Sequence, residues 1–192
     1  MKRNQDGSLY HELTNKFTVL GHLFKDPKTE SILYLPYEKV MIFTDKTTPV
    51  CALKYIEGDG MFENYVLSDS GEKIFKSREF LPFEKIPVVR NFSFNCYGQS
   101  FCDGLFWLNF GPGEEEQIIN DDKLKSTDNT GEIKTGSKIL LYDKTNLVHA
   151  ILVNSNQNLL SKDGTNILKT HSDLNAFNKE CNYSYTKMRI LN

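Results

Sequence analysis

Four cysteines and four histidines are the side chains of widest chemical reach in this 192-residue sequence. A cysteine attacks a carbonyl as a thiolate, or with a base at hand to take its proton. A helix N-terminus or a neighbouring histidine supplies these conditions. Cys96 follows Asn95, a helix-capping residue type, and Tyr97, Phe101, Leu105 and Leu108 recur after it at helical spacing. This pattern predicts Cys96 in the first turn of a helix running to Asn109. Free backbone N–H groups there would also suit a developing oxyanion. Cys102 would lie deeper in the same helix as a core residue. Cys51 and Cys181 fall in an expected strand and loop, with no activating device. His149 interrupts the apolar run Leu147-Val148-His149-Ala150-Ile151-Leu152-Val153, where period 2 places it on one face with Leu147, Ile151 and Val153. Ala150 is small enough to admit another element. One reading of His149 is the general base for Cys96; the other is a core histidine satisfied by a single hydrogen bond. On the next expected strand Ser161 is placed to orient the imidazole, with Asn154 and Asp163 as less favourable partners.

The elements that must position these groups fall into two regions. Residues 16–88 read as short strands: Lys16–Phe24, Ser31–Leu35, Lys39–Thr44, Val50–Ile56, Met61–Leu67 and Lys73–Phe75. Asp26-Pro27, Glu57-Gly58-Asp59-Gly60, Ser70-Gly71, Pro82 and Pro87 punctuate them. From Asn91 the pattern turns helical. Gly111-Pro112-Gly113 stops the first helix, and Glu114–Lys125 is a second candidate, with Glu114, Glu115 and Glu116 in the turn that the helix dipole favours. These glutamates, with Asp121 and Asp122, read as a solvated face and not as a cation loop. The last third is a meander: Lys138–Tyr142, Leu147–Asn154, Leu159–Lys162, Ile167–Thr170 and Tyr183–Ile190. Two regions are thus expected, residues 1–90, β-rich and of unknown role, and residues 91–192, a helix packed on an antiparallel sheet.

Charge narrows the function classes. Lys plus Arg is 23 against 25 for Asp plus Glu, a net of −2. Residues 1–90 carry 13 basic and 13 acidic groups and residues 91–192 carry 10 and 12, so neither region is polarised. Binding to nucleic acid through bulk positive charge is disfavoured, as is a polybasic membrane anchor. No apolar run reaches the ~18–20 residues that span a bilayer, and no apolar stretch follows the basic tip at Lys2-Arg3, so a cytoplasmic protein without a secretory signal is expected. Disulfides are then not expected. No CxxC or other zinc spacing is present, so no metal and no cofactor are expected. Asn91-Phe92-Ser93 and Asn182-Tyr183-Ser184 match the glycosylation pattern by chance, and His171 defaults to the surface.

The order of these groups resembles the NlpC-like branch of the papain-like cysteine hydrolases, which includes bacterial cell-wall peptidases and amidases. Asn95-Cys96 at a helix start looks like the nucleophile segment of that family. Lys134-Thr135-Gly136-Ser137-Lys138-Ile139 looks like the opening strand, with Ser137 where Asp is usual. Val148-His149-Ala150-Ile151 looks like the histidine strand. Ser161-Lys162-Asp163-Gly164, followed by His171, is similar to a subset with a Ser-Lys-x-Gly turn after the third catalytic position, although His, Asn or Gln is commoner at that position. The resemblance covers residues 91–190; residues 1–90 match no family. It implies an α+β fold, a papain-like antiparallel sheet with a nucleophile helix, preceded by the β-rich region. It also implies amide cleavage by Cys96 with His149 as base and Ser161 as its orienting partner, on a peptide or peptidoglycan-like substrate. The rival expectation is an inactive structural or interaction protein in a larger, phage-like assembly, with residues 1–90 as the place for a protein partner. A third is acyl transfer by the same Cys–His pair.

Overall fold

The computed structural model describes residues 1–26, 28–86, 91–111, 113–181 and 183–192. Pro27, Pro87, Pro112, Asn182 and the residues just before the expected boundary at 91 lie outside them. His11–Asp26 and Thr29–Phe43 form two long antiparallel strands, β1 and β2. β2 runs straight through Pro36, where the sequence predicts two separate strands. The N–H and C=O of a strand residue point to the same side, and the Pro36 carbonyl accepts from Ile56 N at 3.2 Å. The missing proline N–H therefore faces the gap between two partners that divide this edge. Pro49–Tyr55 (β3) pairs with the second half of β2 and Gly60–Leu67 (β4) with the first, and neither needs that donor. Lys73–Leu81 (β5) pairs with β4 and completes a five-stranded sheet.

The second half contains two short helices, Cys96–Phe101 (α1) and Glu114–Asp121 (α2), then Ser126–Thr127 (β6), Lys138–Asp143 (β7), Asn146–Val153 (β8), Leu159–Ser161 (β9) and Lys169–His171 (β10). A third helix, Leu174–Cys181 (α3), and Lys187–Leu191 (β11) close the chain. The six strands are ordered β10-β9-β8-β7-β11-β6, with every pair antiparallel. Among the described residues, no helix is long and apolar enough to cross a membrane.

The expected α+β papain-like architecture is not what forms. Of the described residues 46% are strand and 15% helix, arranged as two antiparallel sheets with few helices. Two local causes are visible. Residues 11–81 build a full sheet of their own. The helix starting at Cys96 lasts only six residues, because Asp103 (φ 53°) and Gly104 (φ 73°) take the left-handed conformation that ends it. Leu105 and Leu108, which fit the helical spacing, lie beyond that stop: Leu105 is exposed and Leu108 is buried.

Apolar burial joins the two sheets. Val40, Ile42, Val50 and Ala52 of the first pack in one cluster with Phe101, Phe106, Leu108 and Ile118 and with Leu140 and Ala150 of the second. Leu53 and Trp107 exchange backbone hydrogen bonds of 2.9 and 2.8 Å across the junction. The expected solvated face of α2 is corrected at Asp121, which is buried and accepts from Thr44 Oγ1 (2.9 Å) and Thr48 Oγ1 (2.6 Å) at the β2–β3 turn.

Candidate active site

Cys96 owes its position to Asn95. The Asn95 Oδ1 accepts from Gly98 N at 2.9 Å, which caps α1, and from Leu108 N at 3.2 Å, while its Nδ2 donates to Leu108 O at 2.8 Å. One buried amide thus satisfies a helix start and clamps it to the chain that returns past α1. Gly98 permits the closeness: a Cβ there would sit 1.8 Å from Phe106 O. α1 lies on β8, where the small Ala150 admits it, and the Ala150 and Tyr97 backbone N–H groups are near enough to favour the thiolate form of Cys96.

His149 is buried in β8. Its Nε2 is 2.8 Å from Ser161 Oγ on β9. The ring stacks on Tyr183 with centroids 4.3 Å apart and lies 5.7 Å from Phe177 of α3. The facing of β8 differs from strict alternation. The pairing of β7 with β8 shifts register between Leu141 and Tyr142, so that Leu141 opposes His149 and Tyr142 opposes Leu147. Val148 is the extra residue. His149 consequently keeps Ile151 and Val153 on its side, while Leu147 packs in the other cluster.

The structure brings His149 and Ser161 into hydrogen-bond contact. It brings Cys96 to the backbone of the residue after His149 and within electrostatic range of Tyr183, which stacks on the imidazole. No hydrogen bond joins the Cys96 sulfur to the His149 ring among the described residues. Burial raises the Cys96 thiol to about 11 against the pull of the Ala150 and Tyr97 N–H groups. Burial also lowers His149 to about 4, and nearby Asp163 offsets this only in part. At neutral pH the two therefore rest as thiol and neutral imidazole, not as an ion pair.

Three neighbours escaped the sequence reading. Tyr183 donates to Asp163 Oδ1 at 2.7 Å, and Phe177 completes the aromatic wall. Leu174, Phe177 and Cys181 have the spacing of one helix face, a signal for α3 that a polar setting hid. Lys162 is fully buried. Its ammonium donates to Asn91 O at 2.8 Å and to Gly164 O, and lies 5.0 Å from the Phe94 ring centroid. Burial lowers it to about 8. His171 is not at the surface but buried at the end of β10. Phe106 and Trp107 are buried, Cys102 is core, and Cys51 is exposed. A cleft of about 430 Å³ lies between Tyr97, Phe110, Glu115 and Leu147, and neither Cys96 nor His149 lines it. Among the described residues no group of His, Cys, Asp and Glu is arranged to hold a metal ion.

Compared with family models, curated proteins and solved structures, the chain finds no match in any of the three.

Proposed function

We propose that the chain is a thiol-dependent hydrolase of peptide amides, with peptidoglycan stem peptides as its substrate class. The observation that carries this reading is the start of α1, with Cys96, packed on the strand β8 that holds His149, whose Nε2 lies 2.8 Å from Ser161 Oγ. In the tautomer whose Nε2–H donates to Ser161 Oγ, Nδ1 of His149 is the acceptor for a proton. Because both groups rest neutral, the thiol proton passes to His149 as the sulfur attacks the carbonyl carbon. The amide nitrogen leaves with that proton, and water then releases the acyl group from Cys96. The order Cys96, His149, Ser161 is also that of the NlpC-like cysteine hydrolases, and the resemblance is extended here to the reaction and not to the fold. The test is cleavage of a soluble stem peptide, followed by mass spectrometry. Wild type is expected to cleave, and Cys96→Ser and His149→Ala to lose cleavage. Equal cleavage by Cys96→Ser would overturn the assignment.

A second reading, a non-catalytic component of a larger assembly, is favoured by one observation. Leu13, Phe17, Val19 and Leu23 expose 53, 66, 62 and 47% of their surface along β1, an apolar stripe on the sheet's outer face. Under this reading residues 1–90 dock a protein partner. Phe17→Ser with Val19→Ser would then abolish association without changing stem-peptide cleavage.

A further inference from the structure

A second thiol, on a pocket that shares Ser161, Asp163 and Tyr183 with the site just described, has a histidine and a carboxylate of its own. Cys181 ends α3, and its Sγ lies 3.7 Å from His171 Nε2. The other ring nitrogen, Nδ1, lies 3.1 Å from Glu180 Oε2. An Nδ1–H donated to the carboxylate leaves Nε2 as the acceptor, aimed at the thiol. The three groups converge because β10 delivers His171 directly before the turn into α3, whose last residues are Glu180 and Cys181. The imidazole is buried, while Glu180 and Cys181 are partly open. Cys181 opens on a pocket of about 100 Å³ whose lining also includes Ser161, Asp163, Asn166, Lys169 and Tyr183. Lys169 Nζ, 2.8 Å from Glu180 Oε1, brings a positive charge to its rim. The volume suits a group of a few heavy atoms.

We propose that Cys181, His171 and Glu180 form an acyl-accepting site for small acyl groups delivered as thioesters or activated esters. The Cys181 proton passes to His171 Nε2 as the sulfur bonds to the acyl carbon. The bond from that carbon to the thiolate or alkoxide of the donor breaks, and the leaving group departs with the proton. A thioester remains on Cys181, and Lys169 faces the oxyanion that forms on the way. Burial holds the thiol above its ordinary pKa, so the mechanism needs the base and not a resting thiolate.

The probe is p-nitrophenyl acetate, applied at neutral pH to the full chain in a Cys96→Ser background, which separates this site from the one proposed above. Acetylation is mapped to each cysteine by mass spectrometry. Cys51, exposed and outside any such cluster, is the internal reference. Cys181 is expected to acetylate about a hundredfold faster than Cys51, the lower end of general-base assistance. His171→Ala should bring it to the Cys51 rate, and Glu180→Gln, a half-exposed position that keeps the fold, should lower it severalfold. Acetylation of Cys181 no faster than Cys51, or rates unchanged by Glu180→Gln and His171→Ala, would overturn the proposal.

Discussion

His149 and His22 are both buried and neutral, each held near a pKa of about 4 chiefly by desolvation. His22 sits in a separate network, with its Nε2 2.8 Å from the Tyr37 hydroxyl, which itself donates to Phe92 O. The unfolded chain binds a proton at each histidine below about 6.5, while the folded chain does not until about 4. Stability conferred by these neutral imidazoles is therefore full above pH 6.5 and is lost as the pH falls towards 4, by up to roughly 3 kcal/mol for each. Melting temperature measured from pH 7 to pH 4 should fall, and His22→Phe should flatten the fall. A melting temperature indifferent to pH over this range would contradict the buried, neutral state. At this scale part was legible. The polar residue on an apolar strand marked His149, and Ser161 on the next strand is its hydrogen-bond partner as its position predicts. Burial depth was not legible, because desolvation depends on Tyr183 and Phe177, which arrive from more than twenty residues away.

The start of α1 could be read from Asn95, since capping is a local matter, but its end could not. The apolar spacing of Leu105 and Leu108 mimics a continuing helix, while left-handed Asp103 and Gly104 turn the chain back so that Leu108 reaches the cap residue itself. Two substitutions test this arrangement by thermal or denaturant unfolding. Asn95→Ala removes the cap and strands the Leu108 groups, an expected loss of about 2–3 kcal/mol. Gly98→Ala places a methyl against the Phe106 carbonyl, where backbone must move, and should cost at least about as much. A Gly98→Ala variant as stable as wild type would mean that α1 does not pack this way. Helix α3 and the buried His171 were missed for a related reason: an eight-residue helix with one fully buried residue leaves a weak apolar pattern. The long β2 was missed because proline usually breaks strands, and only the division of its partners makes Pro36 harmless.

Across the whole molecule, the shared cluster decides how the two sheets behave. Ile42 on the first and Leu140 on the second are both fully buried in it. Ile42→Ala and Leu140→Ala should each lower the same single unfolding transition by about 2–5 kcal/mol. Two separate transitions, each moved by only one substitution, would contradict a common core. The buried Lys162 ammonium ties the segment before α1 to the turn after β9 by donating to Asn91 O and Gly164 O. This scale was the least legible in the sequence. Local alternation marked most of the strands, but nothing local states that residues 11–81 form a complete sheet and not a prelude to another fold.

The central claim is that His149 serves the Cys96 thiol. Its most direct test is iodoacetamide labelling of the native protein from pH 5 to pH 10, mapped to each cysteine, in wild type and His149→Ala. Exposed Cys51 serves as the internal reference for labelling. With a neutral imidazole above about pH 4 taking the proton of a thiol held near 11, Cys96 should label at a nearly level rate across pH 5–9, and that labelling should vanish in His149→Ala. A Cys96 that stays unlabelled throughout, or whose labelling climbs with pH and ignores the loss of His149, would contradict the account.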